Sequence, residues 1–145
     1  MTERRGRDGP ARCACTTIRR TGRVLTQLYD DALAPTGLRV TQYAVLAKLT
    51  GRGPIGMGAL ADELAMDRTS LTRALTPLQR DGLIRVHADE DRRRRLIRLT
   101  EEGEEVLVRA RPRWREAQAR VTASLGQDRL DALLRELSAV EALIR

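Results

Sequence analysis

Residues 57–80 read MGALADELAMDRTSLTRALTPLQR, two short amphipathic segments on either side of a tight turn. Met57 to Leu64 has helical spacing, Ala65 and Met66 make a tight turn, and Asp67 is placed to cap a second helix from Arg68 to Arg80. Two helices joined by a few residues form a helix-turn-helix. In the second, Leu71, Ala74, Leu75 and Leu78 recur at i, i+3, i+4 and i+7, which turns that face into a core. The opposite face carries Thr69, Thr72 and Arg73, with Arg68 and Ser70 at the helix start. Hydroxyl and guanidinium groups in that arrangement contact phosphates and base edges, and the helix N-terminus offers backbone N–H groups to a phosphate. Arg73 is the expected base reader, since a bidentate contact to guanine is worth roughly 1–3 kcal/mol of discrimination. Pro77 deprives the Arg73 carbonyl of its helical partner and is expected to bend the axis, turning Thr76 and Arg80 away from a groove.

Beyond Gly82, Leu83 to Ala88 and Arg95 to Leu99 read as two short strands around the polar turn Asp89 to Arg94. Arg92, Arg93, Arg94 and Arg95 cannot all be buried by alternation, so the hairpin becomes a basic wing. Its tip, with Arg93 and Arg94, suits a narrow minor groove. Asp91 either steadies the Arg93 guanidinium or serves only as a turn residue. Thr100 caps a long helix opened by Glu101 and Glu102, which the positive end of the helix dipole favours. Pro112 is expected to kink or break that helix, and Gly126 separates it from a last one striped with Leu130, Leu133, Leu134, Leu137, Val140 and Ile144.

Upstream, Ile18, Leu25, Leu28, Tyr29, Ala32 and Leu33 mark a first helix from about Cys13 to Ala34, ended by Pro35 and Gly37. Thr41 is expected to cap a second helix through Ala44, Val45 and Leu49, stopped by Gly51, Gly53 and Pro54. The expected fold class is therefore mainly α with a small β-hairpin wing. It is a winged helix-turn-helix whose N- and C-terminal helices form a dimerisation region. Residues 1–12 read as a flexible basic arm and 13–145 as one domain, with 13–36 and 104–145 as dimerisation helices around a winged part at 37–103. Amphipathic helices at both ends, with no sheet to cover them, predict packing against a second copy.

The 145 residues suffice for one domain, and the formal net charge of +7 favours an anionic partner. Lys48 is the only lysine, and guanidinium suits bidentate pairing with phosphate and guanine. No apolar run approaches the roughly 20 residues that cross a bilayer, so no membrane partner and a cytoplasmic location are expected. Gly51-Arg-Gly-Pro-Ile-Gly56 matches a dinucleotide fingerprint literally, but a helix precedes it where a strand is required, leaving a glycine-rich loop. His87, the single histidine, falls on a wing strand without partners. The composition thus calls for no enzyme activity, cofactor or metal.

Leu60-Ala61, Asp67-Arg-Thr-Ser-Leu-Thr-Arg, Asp81-Gly-Leu-Ile, Asp91-Arg-Arg and Leu99-Thr-Glu-Glu-Gly, in that order, resemble the multiple-antibiotic-resistance regulator (MarR) family. The resemblance implies a winged-helix dimer that contacts DNA through the wing Asp-x-Arg, here Asp91 and Arg93. It also implies repression of a nearby operon, relieved by a small molecule or an oxidant. The expected partner is double-stranded DNA carrying an inverted repeat, with recognition helices in successive major grooves roughly 34 Å apart. An architectural or non-specific DNA-binding role uses the same basic surfaces and stands as the alternative.

Cys15, followed 14 residues later by Tyr29 and then by Thr41-Gln-Tyr, is similar to the organic-hydroperoxide-sensing branch. That resemblance implies an oxidisable Cys15 bonded by tyrosines of the partner subunit, Tyr29 among them; Val40 departs from it, standing where the branch carries a second tyrosine. Arg12, Arg19 and Arg20 lie close enough in sequence to favour a thiolate. Cys13 can resolve a sulfenic acid, or both thiols can be incidental; two thiols alone do not complete a zinc site. A regulator without redox sensing would instead hold an apolar or phenolic inducer, with Tyr43 and Trp114 as walls.

Overall fold

The computed structural model describes residues 13–90 and 93–143; the basic arm, Asp91, Arg92 and Ile144 lie outside them. Helix α1 (Ala14–Leu33) leads through a 3₁₀ turn (Ala34–Thr36) into α2 (Val40–Leu49). Gly37, at φ 78°, turns the chain between them. Thr41 does not cap α2. The boundary residue is Arg39, whose N–H donates to Gln42 Oε1 at 3.0 Å, while Asp30 Oδ1 of α1 accepts the Val40 N–H at 2.7 Å. An orphan amide at the start of α2 is thereby satisfied from a neighbouring helix instead of a local hydroxyl.

The helix-turn-helix is α3 (Met57–Glu63) followed by α4 (Arg68–Arg80). Leu64 N–H bonds to Leu60 O, and the turn closes with Ala65 N–H to Asp62 O at 3.1 Å and Met66 N–H to Ala61 O at 2.9 Å. This is a Schellman motif, and it requires a left-handed residue at its centre. Ala65 takes that place at φ 51°. After α4 the same pattern repeats with Gly82 at φ 75°, Gly82 N–H bonding Gln79 O and Leu83 N–H bonding Leu78 O.

Strands β2 (Ile84–Ala88) and β3 (Arg95–Leu99) form the wing hairpin in antiparallel register, Ile84 opposite Leu99 and Ala88 opposite Arg95. A third strand, β1 (Ile55–Gly56), pairs with the other edge of β3 through Ile55 and Ile97. The glycine-rich loop expected before α3 thus ends as a sheet edge, giving the order β1-β3-β2. Ile55, Ile84 and Ile97 turn inward from this sheet onto Leu46, Leu60, Leu71 and Leu78.

Helix α5 (Glu101–Leu125) runs without interruption through Pro112, and α6 (Gln127–Glu141) follows after Gly126. The expected break is absent because Val108, Arg109, Pro112 and Arg113 are exposed, so the turn that loses a hydrogen bond faces solvent. At its start, Thr100 Oγ1 accepts the Gly103 N–H at 3.0 Å and donates to Gly82 O at 2.6 Å; Thr100 N–H donates to Leu83 O at 3.1 Å. A Cβ on Gly103 would lie 2.1 Å from Leu83 O and 2.6 Å from Leu99 Cδ1. The Leu-Thr-Glu-Glu-Gly stretch is therefore a docking joint: threonine caps α5 and glycine admits the wing's backbone against it.

Candidate nucleic-acid interface

Leu71, Leu75 and Leu78 are buried in the core, which fixes Arg68, Thr69, Ser70, Thr72 and Arg73 on the exposed side of α4. Asp67 anchors the helix start: Oδ1 accepts the Ser70 N–H at 2.7 Å and Oδ2 accepts the Ser70 hydroxyl at 2.9 Å. The Ser70 N–H and then its hydroxyl hold the Asp67 carboxyl below its ordinary value. Because the native value is lowered, the cap is fully formed at neutral pH and weakens only as acid titrates the carboxylate. Ser70 accordingly spends its proton inside the chain. Thr72 Oγ1 likewise donates to Arg68 O at 2.8 Å, and Thr76 Oγ1 to Thr72 O at 2.8 Å. The uncommitted donors of this face belong to Arg68, Thr69 and Arg73 among the described residues. Helix α4 continues through Pro77, and Arg80 pairs with Asp81 at 3.2 Å.

Of the wing tip, Asp91 and Arg92 fall outside the described residues, while Arg93 and Arg94 are exposed. Arg94 folds back along the wing so that its guanidinium lies against Gly56, where a Cβ would meet Nη2 at 3.1 Å. Arg68 reaches towards the same place from α4, its Nη2 3.6 Å from a Cβ built on Gly58. A cleft of about 510 Å³ separates α4 from the wing, lined by Gly56, Gly58, Arg68, Thr72, Arg93, Arg94 and Arg95 among others. Among the described residues, none of these four arginines has a carboxylate within ion-pair distance. Sequence reasoning missed Gly56 and Gly58, although a Gly-x-Gly pair at the very start of the helix-turn-helix is visible there.

The sensing residues separate. Cys13 sits at the N-cap of α1 and Cys15 in its first turn, both exposed. Thr16, through its hydroxyl and then its backbone N–H, lowers the Cys13 thiol from its usual value. Tyr29 lies 14 residues along α1, about 21 Å from Cys15 at 1.5 Å rise per residue, so the two do not meet within one chain. Its hydroxyl instead donates to Gln118 Oε1 of α5. Burial raises the Tyr29 phenol above its usual value.

Tyr43 and Trp114, expected as walls of an inducer pocket, stack on each other with ring centroids 5.8 Å apart and planes 13° apart. Tyr29 tilts against the same indole at 6.3 Å. Tyr43 is buried in the core, and burial raises its phenol despite the opposing charges of Arg111 and Arg115. The two side chains fill space between α2 and α5 by pairing with each other. His87 is exposed on β2, as expected. No helix of the described residues is long and apolar enough to cross a membrane.

A MarR-family model matches residues 38–95, from just before α2 to the start of β3. The M. tuberculosis transcriptional regulator MosR, solved in complex with DNA, is 45% identical; the likeness covers 90% of this chain and 97% of that one at a TM-score of 0.80. The transcriptional activatory protein BadR of Rhodopseudomonas palustris is 38% identical over 89 residues, 58% of this chain and 51% of BadR. The organic hydroperoxide resistance transcriptional regulator of Bacillus subtilis is 30% identical over 90 residues, 61% of each chain. Against these curated relatives the match spans between about half and two thirds of their length. The winged helix, its joint at Gly103 and the full-length likeness agree: the chain belongs to the MarR family of transcriptional regulators.

Proposed function

We propose that this chain is a homodimeric, sequence-specific regulator that holds an inverted-repeat operator and is released by oxidation of its N-terminal thiols. The observation that carries the DNA reading is the exposed face of α4, where Arg68, Thr69 and Arg73 keep free donors beside a wing rich in arginine. Arg73 reads a base, the Arg68 side chain and the α4 N-terminus hold backbone phosphate, and Arg93 with Asp91 and Arg92 works at the wing tip. Ser70 and Thr72 contribute as hydroxyl acceptors or through rotated donors.

Support for the dimer comes from the ends of the chain. Ile18 and Val24 on α1, and Leu133, Leu134 and Val140 on α6, stay between 41% and 66% exposed. Apolar faces of this kind on terminal helices match a self-complementary interface. The redox reading rests on the two exposed thiols at the start of α1, of which Thr16 favours Cys13 as the thiolate, and on the likeness to a hydroperoxide-resistance regulator. The Cys13 thiolate attacks the distal peroxide oxygen, the O–O bond breaks, and the alkoxide leaves as alcohol after taking a proton, giving a sulfenic acid. Cys15 then attacks that sulfur, and water departs as the disulfide forms. Side chains two apart on a helix do not face each other, so this bridge unwinds the first turn of α1, where Thr17 N–H bonds Cys13 O at 3.0 Å.

The deciding experiment measures binding of the purified protein to its own upstream DNA before and after cumene hydroperoxide, with Cys13→Ser and Cys15→Ser alongside. Release of the wild type, reversed by thiol reductant and absent in Cys13→Ser, is the expected result. Retention of DNA by all three proteins would leave a DNA-binding regulator without redox control. Equal affinity for random duplex at physiological salt would move the reading to an architectural protein.

A further inference from the structure

Four arginines converge on the cleft between α4 and the wing, and that convergence is costly on its own. Like charges sharing one concave surface repel, and among the described residues no carboxylate neutralises them. Two of them also pass over glycines. The guanidinium of Arg94 approaches Gly56 through Nη2, and that of Arg68 approaches Gly58 through Nη2, on the floor formed where β1 passes into α3. Gly56 has an ordinary extended backbone, φ −68° and ψ 152°, so its lack of a side chain is not a conformational need. What that lack provides is room for a guanidinium.

We infer that Arg94 and Arg68 form a clamp for one stretch of phosphodiester backbone between the recognition helix and the wing, and that Gly56 is its positioning residue. The inference rests on the DNA-binding reading proposed for this chain and adds to it a division of labour within the arginine run. Arg93 reaches the cleft from the tip, while Arg94 turns back over Gly56 to work with α4. A duplex whose major groove receives α4 and whose minor groove receives the wing must carry a phosphate backbone across the space between them. The cleft is in that space. Bidentate guanidinium–phosphate pairing from opposite walls would fix the angle between helix and wing on the duplex.

The test measures fluorescence anisotropy on the upstream duplex from low to high salt, for wild type, Arg94→Gln, Arg68→Gln, Gly56→Ala and the Gly56→Ala/Arg94→Gln double variant. Each phosphate that a variant leaves unneutralised should reduce the slope of log K against log[salt] by about 0.9 in each protomer. Arg94→Gln and Arg68→Gln should flatten the slope and weaken operator and random DNA alike. Gly56→Ala should shift binding in the same direction as Arg94→Gln but by less, and should add nothing in the Arg94→Gln background. Its added Cβ meets the far end of a flexible side chain, so an unchanged unfolding transition is expected. A wild-type slope in Arg94→Gln, or an equal Gly56→Ala penalty with and without Arg94, overturns the clamp while leaving the DNA reading intact. Failure of the wild type to bind any duplex overturns both.

Discussion

Between β1 and the start of α5 the apolar side chains are closed in, with Leu60, Leu71, Leu78, Ile84 and Ile97 at 1% exposure or less. At the ends of the chain the same residue types remain open: Val24 is 66% exposed and Leu134 49%. In the reading head a sheet, two short helices and the start of α5 seal one another, and charge is left on the outside. Helix α1 packs on α5 and α2, and α6 packs on α5, yet apolar side chains of both terminal helices stay uncovered. The head is therefore complete as a single chain, whereas in the proposed dimer it is a second copy that completes the ends.

The sharpest way to break this contrast is at the joint of the head. Gly103→Ala forces a Cβ into the space held by Leu83 O and should cost about 3 kcal/mol. Thermal unfolding should then move down by about 10 °C. A wild-type transition would mean that the wing and α5 are not rigidly joined. At the ends, Leu133→Glu with Leu134→Glu should give monomers in sedimentation velocity. Without a linked second half-site, operator affinity should fall by about a hundredfold. A stable dimer from that variant would place the interface elsewhere.

A subtler change separates the ends from the head chemically. In a Cys15→Ser background, Thr16→Val should move the pH midpoint of Cys13 alkylation upward, because it removes the hydroxyl that most favours the thiolate. DNA affinity of the reduced protein should not change. An unmoved midpoint would deny Thr16 its role. The smallest effect belongs to the turn of the head. Ala65→Gly relieves a left-handed alanine but adds freedom to the unfolded chain, for a net gain of about 0.5 kcal/mol. Denaturant unfolding that shows a loss instead would mean that the turn is unstrained.

Much of the head is legible in the sequence because its signals are local. Asp67 and Thr100 cap the helices assigned to them, Gly126 divides α5 from α6, and the strands of the wing fall within a residue of their expected ends. Strand β1 is not legible, since two residues cannot display alternation. The start of α2 escapes a local reading because its amide is satisfied by Asp30, ten residues upstream and on another helix. Pro112 misleads because its cost depends on which side of the helix meets water.

The sequence by itself determined the element order, the helix-turn-helix, its basic face and the hairpin, because each depends on spacing and capping within a few residues. Only the tertiary structure decided which polar groups are already spent. Ser70 is committed to Asp67, and Tyr29 to Gln118, 89 residues away. Tertiary packing also stacked Tyr43 on Trp114 and laid Arg94 over Gly56. Those pairings join residues far apart in the chain, and the side-chain types alone do not say which partner, in three dimensions, arrives within reach.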